Sequence, residues 1–143
     1  MYHTILTVMV ITIPLIASLQ DIFSLSVYRF LWIAALAVVF AAHGIFNFDS
    51  FFYHGGVCAV SFVFYYLIRF ITKKGFGFAD VLMASFMGSL LSFEKMIYAV
   101  IIQIIISLLC FVIVRIFTKK RKLKIPFIPV MTASLWCLWF NIL

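Results

Sequence analysis

The chain has 143 residues, of which 67% are hydrophobic and only 10% are charged. An ordinary soluble domain is roughly half apolar, so this composition excludes a soluble enzyme or binding module and predicts an integral membrane protein. Eleven basic and four acidic residues give a formal net charge of +7. In a membrane protein this excess is expected to attract anionic lipid headgroups rather than nucleic acid.

Six apolar segments separate the charged residues, and the connections between them are too short for a soluble module. In chain order the segments are Ile5–Leu19, Phe30–Phe46, Val57–Ile71, Ala79–Phe93, Met96–Ile116 and Pro126–Leu143. Several are shorter than the roughly 20 residues that cross a bilayer untilted, so flanking aromatic residues are expected to extend the helices. The sequence predicts one domain over residues 1–143, an all-α polytopic membrane protein with about six transmembrane helices in one bundle.

The basic residues predict the orientation of this bundle. With six spans, one side of the membrane has Lys95 alone, and the other side has the remaining ten basic residues. These ten are Arg29, Arg69, Lys73, Lys74, Arg115, Lys119, Lys120, Arg121, Lys122 and Lys124. Basic residues accumulate in short cytoplasmic loops, so the ten-residue side is expected to be cytoplasmic and both termini external.

Two of the four carboxylates, Asp21 and Asp80, fall on the predicted cytoplasmic side, each at an end of an otherwise apolar helix. Asp49 and Glu94 fall on the other side. An ionisable group at the edge of hydrocarbon is costly and is a candidate for a functional role. Two carboxylates on one side can form a dyad that shares a proton and activates water. Taken singly, Asp21 fits equally a polar stop after the first helix, and Asp80 a first-turn residue facing the helix dipole.

The cysteines and histidines do not predict a metal site. The cysteines are isolated in apolar segments without Cys-x-x-Cys spacing and are expected to act as small packing side chains: Cys58, Cys110 and Cys137. The histidines map to the external side without the spacing of metal ligands: His3, His43 and His54. No metal and no organic cofactor is predicted.

The most distinctive local pattern is Lys73-Lys74-Gly75-Phe76-Gly77-Phe78-Ala79-Asp80-Val81, in which two glycines lead into an apolar helix. Glycines permit strained or closely approached backbone conformations. The pattern resembles the Gly-x-Gly-Asp-Val motif of the type IV prepilin peptidase family of intramembrane aspartyl proteases. Asp21 matches the family's first catalytic aspartate, and Ile125-Pro126-Phe127-Ile128-Pro129 is similar to the segment leading into its last helix. The resemblance covers nearly the whole chain in the right order.

The resemblance implies an aspartic endopeptidase that cuts the basic leader from prepilin, pseudopilin or archaellin-like precursors. Asp21 and Asp80 would be catalytic, one as base and one as acid, and Gly75, Gly77 and Ala79 would form the active-site loop. The family implies the plasma membrane of a prokaryote, cleavage at the cytoplasmic face, and service to type IV pili or protein secretion. The chain lacks the cysteine-rich insertion of members that also methylate the new N-terminus, so no N-methyltransferase activity is expected.

Two departures from the family pattern bear on activity. Ala79 replaces the glycine before the aspartate, and if that position requires positive φ the alanine is expected to strain the turn. Val27-Tyr28-Arg29 stands where the family usually has Ile-Pro-Asn.

Two other functions are compatible with the sequence. The chain could be an inactive relative that serves in pilus or secretion assembly. It could also be a small transporter in which Asp21 and Asp80 bind a cation or relay protons.

Overall fold

The computed structural model describes residues 1–24, 27–72, 77–117 and 126–141. Within these ranges the chain forms six α-helices and no strand, which confirms the all-α prediction. Each predicted apolar segment overlaps one helix for most of its length, although the fourth, Ala79–Phe93, extends to the first residue of the next helix. The helices are α1 (Tyr2–Ser24), α2 (Arg29–Phe46), α3 (Phe48–Ile71), α4 (Phe78–Leu90), α5 (Phe93–Phe117) and α6 (Ile128–Trp139).

The helices fall into two length classes. Four of them, α1, α2, α3 and α5, are long and apolar enough to cross a membrane. Helices α4 and α6 have 13 and 12 residues, which at about 1.5 Å per residue gives only about 18–20 Å, less than the roughly 30 Å of bilayer hydrocarbon. That these two short helices also cross the membrane stays a prediction.

Helix α4 lies at the centre of the bundle. Every residue from Val81 to Leu91 is buried, and the helix packs against α2, α3, α5 and α6. A helix that is apolar on all sides is stable when protein surrounds it on all sides. The long helices therefore separate α4 from lipid, and the short central helix fixes the position of Asp80 in its first turn.

A polar seam joins α1 to α6. Pro14 lies inside α1 and has no backbone N–H to bond with the carbonyl four residues earlier, that of Val10. The Val10 carbonyl instead accepts a hydrogen bond from the Trp136 Nε1–H at 2.8 Å. The Ser18 and Thr132 hydroxyls are hydrogen bonded at 2.8 Å in the same interface. Buried polar groups that find partners across two helices fix their relative position.

Gly88 lets α3 and α4 approach closely. A Cβ atom on Gly88 would lie 2.7 Å from Ser61 Oγ and 2.9 Å from the Val57 carbonyl oxygen. Because the second contact is with backbone, we expect Gly88→Ala to force the helices apart and to destabilise the protein by roughly 1–3 kcal/mol. Thermal unfolding in detergent measures this. Gly56→Ala is the matched control, since a Cβ there meets nothing within 4 Å, and an unchanged Tm for Gly88→Ala would contradict the packing.

Candidate active site

The end of α1, the start of α2, the end of α3 and the starts of α4 and α6 lie together at one end of the bundle, which we call the aspartate end. Contacts among residues of these segments show that they lie together. The guanidinium carbon of Arg29 lies 5.4 Å, and that of Arg69 5.8 Å, from the centre of the Phe78 ring, within the range of a cation–π interaction. Most other basic residues predicted for this side lie outside the described residues.

The Asp80 carboxylate is hydrogen bonded to the backbone at the start of its own helix. Asp80 is the third residue of α4, and its Oδ2 accepts a hydrogen bond from the Gly77 N–H at 2.9 Å. A carboxylate at this position satisfies one of the free N–H groups at a helix start. The contact holds the side chain in one orientation at the aspartate end.

Glycine is needed at position 77 to leave room for the Asp80 carboxylate, and not to permit an unusual backbone conformation. Its φ of −68° and ψ of 150° suit any residue, but a Cβ there would lie 2.8 Å from Asp80 Oδ2. The glycine therefore permits the close approach that the sequence suggested, without strain. Gly75, also predicted for this loop, lies outside the described residues.

Strain at Ala79 was expected only if its position required positive φ, and the structure does not meet that condition. Ala79 lies in the first turn of α4, half-buried against the core. Among the described residues other than glycine, positive φ occurs at Asn141 alone. The alanine occupies an ordinary helical conformation, so its methyl group causes no backbone strain, and a glycine in its place would relieve none.

Asp21 holds the start of α6. It lies near the end of α1, is largely buried, and its Oδ2 accepts a hydrogen bond from the Ile128 N–H at 3.1 Å. The backbone of Phe127 also interacts with this carboxylate. Pro129 lies in the same first turn of α6, where a proline is tolerated because an N–H at that position would have no partner within the helix. A carboxylate is stabilised by the free N–H groups and the positive dipole end of a helix.

The structure brings the two predicted aspartates together. The Asp21 and Asp80 carboxylates are close enough to interact electrostatically, and Arg69 interacts with Asp80 as well. Asp21 is buried, whereas Asp80 and Arg69 are partly exposed at the same end of the bundle. Sequence reasoning missed Arg69 as a partner of Asp80. The short connection between α3 and α4 could have indicated it, because it places the end of one helix beside the start of the next.

The histidines lie at the opposite end of α4. The Tyr2 hydroxyl is hydrogen bonded to His43 Nδ1 at 2.7 Å, and His43 Nε2 to the Ser89 carbonyl oxygen at 2.8 Å. The His54 ring stacks on His43 with 4.7 Å between centroids. Among the described residues no three His, Cys, Asp or Glu side chains converge in a way that could hold a metal ion.

Comparison with known families identifies the class of protein. The sequence model of the type IV leader peptidase family matches residues 8–113, a range that contains both Asp21 and Asp80 and ends before α6. The match spans most of the chain, so the chain belongs to the type IV leader peptidase family. No curated protein and no solved structure matches it. The family and the four long apolar helices together identify a multi-pass membrane protein with a leader peptidase-type function.

Proposed function

We propose that the chain is an intramembrane aspartic endopeptidase that removes the basic leader from type IV prepilin-like precursors. The observation that carries this proposal is the placement of Asp21 and Asp80 on separate helices at one end of the bundle, within electrostatic range of each other. Each carboxylate is held by a backbone N–H at the start of a helix. Such support is what a preorganised pair of catalytic groups needs.

The proposed chemistry is hydrolysis by an activated water. One carboxylate, ionised, takes a proton from the water, whose oxygen attacks the carbonyl carbon of the scissile peptide bond. The other, protonated, donates a hydrogen bond to the carbonyl oxygen, and the departing nitrogen receives a proton as the C–N bond breaks. The two groups titrate as a pair, so we assign neither base nor acid to a particular aspartate. The reaction requires no metal or organic cofactor.

The proposed setting is the cytoplasmic face of a prokaryotic plasma membrane, with both termini external. The concentration of basic residues on the side of Asp21 and Asp80 supports this orientation. The proposed substrates are prepilins, pseudopilins or archaellin-like precursors, and we propose no N-methyltransferase activity. Arg29 and Arg69 at the aspartate end would repel a basic leader, so recognition is assigned to the apolar helix that follows it.

Co-expression with candidate precursors tests the proposed function. We expect a precursor to run as a smaller band in the presence of the wild-type chain and at full size without it. A panel of prepilin-like precursors that all stay uncut would contradict the proposal. Binding of a precursor without cleavage would favour the inactive relative.

The pH dependence of cleavage is expected to be bell-shaped. At low pH both carboxylates are protonated and no base remains, whereas at high pH both are ionised and no acid remains. The two limbs therefore report two apparent pKa values that belong to the pair. Initial rates in proteoliposomes, buffered equally on both sides, measure the profile. A rate that is flat from pH 4 to pH 9 would contradict a carboxylate dyad.

The orientation predicts opposite labelling at the two ends. A single cysteine at Lys122, in a predicted cytoplasmic loop outside the described residues, should resist a membrane-impermeant thiol reagent added to intact cells. A single cysteine at Asp49, at the start of α3, should react. Cys58, Cys110 and Cys137 are first replaced by alanine. The reverse labelling pattern would overturn the orientation and the cytoplasmic cleavage site.

A further inference from the structure

Two guanidinium groups contact one aromatic ring at the aspartate end. Phe78 is the first residue of α4, two positions before Asp80, and is half-buried against the core. The guanidinium carbon of Arg69 lies 5.8 Å, and that of Arg29 5.4 Å, from the centre of its ring. These contacts place one cation from α3 and one from α2 beside the first turn of α4.

Arg69 belongs to the face of α3 that packs against the start of α4. Phe62 lies two helical turns earlier on the same face and meets Phe78 edge-on, with 6.4 Å between ring centroids. Tyr65, between them on this face, is only 3% exposed and interacts electrostatically with Asp80. Arg69 is partly exposed and interacts with Asp80 as well. Of these three residues on one helix face, Arg69 is the one that brings a positive charge to the first turn of α4.

Arg29 contacts the same ring from a different position. It is the first residue of α2 and is exposed, so solvent and salt screen its charge. The charged neighbours that interact with Asp80 are Asp21 and Arg69. Both arginines therefore contact Phe78, but Arg69 is the one that acts on the carboxylate.

The other groups that could influence the two carboxylates lie on three helices. The described titratable side chains at this end of those helices are Asp21 on α1, Tyr28 and Arg29 on α2, and Tyr65, Tyr66 and Arg69 on α3. No charged side chain that the structure describes on α5 or α6 lies at this end. Lys73 and Lys74 lie outside the described residues.

We propose that Arg69 is a positioning residue of the candidate active site, whose guanidinium, held on the Phe78 ring, stabilises the one negative charge that the carboxylate pair needs for catalysis. The inference rests on the proposed function, in which one carboxylate is ionised and the other protonated. Burial disfavours the ionised form of a carboxylate, and a nearby cation favours it. Arg69 therefore keeps a base available in the pair at a pH at which burial alone would leave both carboxylates protonated.

The pH profile of cleavage tests this role. Because a cation favours the ionised state of each carboxylate, Arg69→Gln should move both limbs of the bell to higher pH. An opposite charge within about 4–6 Å shifts the titration of a carboxylate by about 1–3 pH units, and partial exposure of Arg69 weakens the effect, so we expect roughly 0.5–1 pH unit. Arg69→Met, which also removes the charge, should move the limbs equally. Arg69→Lys, which keeps the charge, should leave them in place.

Arg29→Gln is the matched control, since it removes a guanidinium from the same ring and changes the net charge by the same amount. Its limbs should stay where those of the wild type lie. Initial rates are measured in proteoliposomes buffered equally on both sides, at one ionic strength and with one precursor. A purely structural role of Arg69 would lower the rate without moving the limbs.

Unmoved limbs in Arg69→Gln and Arg69→Met overturn the inference, whatever their rates. An equal movement in Arg29→Gln or in Arg69→Lys overturns it too, as does failure of both uncharged Arg69 variants to accumulate in the membrane, which would assign Arg69 to stability. A wild-type chain that cuts no precursor ends the proposed function and this inference with it. A bell-shaped wild-type profile that the loss of the Arg69 charge leaves in place ends the inference alone.

Discussion

Replacement of either Asp21 or Asp80 by asparagine is expected to abolish detectable cleavage of a matched precursor. The lost acid–base contribution is worth roughly 10²–10⁴ in rate, and neither remaining carboxylate can act as both acid and base. Asparagine keeps an oxygen that can accept the Ile128 or Gly77 N–H, so both variants should fold. Cleavage is scored by mobility shift, and folding by the amount of protein in the membrane and its Tm in detergent.

Two acidic residues at the other end of the bundle provide the controls. Asp49 and Glu94 lie in the first turns of α3 and α5, far along the helices from the aspartate end. Asp49→Asn and Glu94→Gln should therefore cut nearly as fast as wild type. If Asp21→Asn and Asp80→Asn cut as well as these controls do, the catalytic assignment is wrong.

Gly77→Ala is expected to lower the cleavage rate by about 10²-fold, the effect of a displacement of roughly 1 Å at a catalytic group. The added Cβ would lie 2.8 Å from Asp80 Oδ2, so the carboxylate must move away from the backbone N–H that holds it. Stability should change little, because the backbone angles at Gly77 suit alanine. The measurements are kcat for a precursor in proteoliposomes and Tm in detergent.

The control for this change is again Gly56→Ala, a glycine whose Cβ would meet no atom within 4 Å. It should leave kcat unchanged. Full activity of Gly77→Ala would mean that the hydrogen bond between Asp80 and Gly77 does not set the catalytic position of the carboxylate.

The presence of each helix could be predicted from sequence because charged residues lie near the helix ends. The residues at which several helices begin could not be predicted. Helix α3 was expected to begin at Val57 and begins at Phe48. The Asn47 side chain accepts a hydrogen bond from the Ser50 N–H at 3.4 Å, so a local cap starts the helix earlier than hydropathy indicates.

The candidate site was predictable only in part. The topology placed Asp21 and Asp80 at one end because each lies beside a connection on the same side. The partner of Asp21, the Ile128 N–H, is 107 residues away, and such a contact depends on how α1 packs against α6. The motif around Asp80 indicated that glycine is needed but not why. The structure shows that Gly77 is needed because a larger residue would contact the Asp80 carboxylate. It also shows that Ala79 has no positive φ and therefore no backbone strain.

In the proposed reaction, the pair formed by Asp21 and Asp80 cuts a leader from its precursor. Mass spectrometry of a precursor purified after co-expression with the wild-type chain, or with the Asp21→Asn, Asp80→Asn double variant, tests it most directly. We expect the wild type to remove the basic leader directly before the apolar helix, and the double variant to leave the precursor at its full mass. A full-mass precursor in both cultures, or the same shortened product in both, would contradict it.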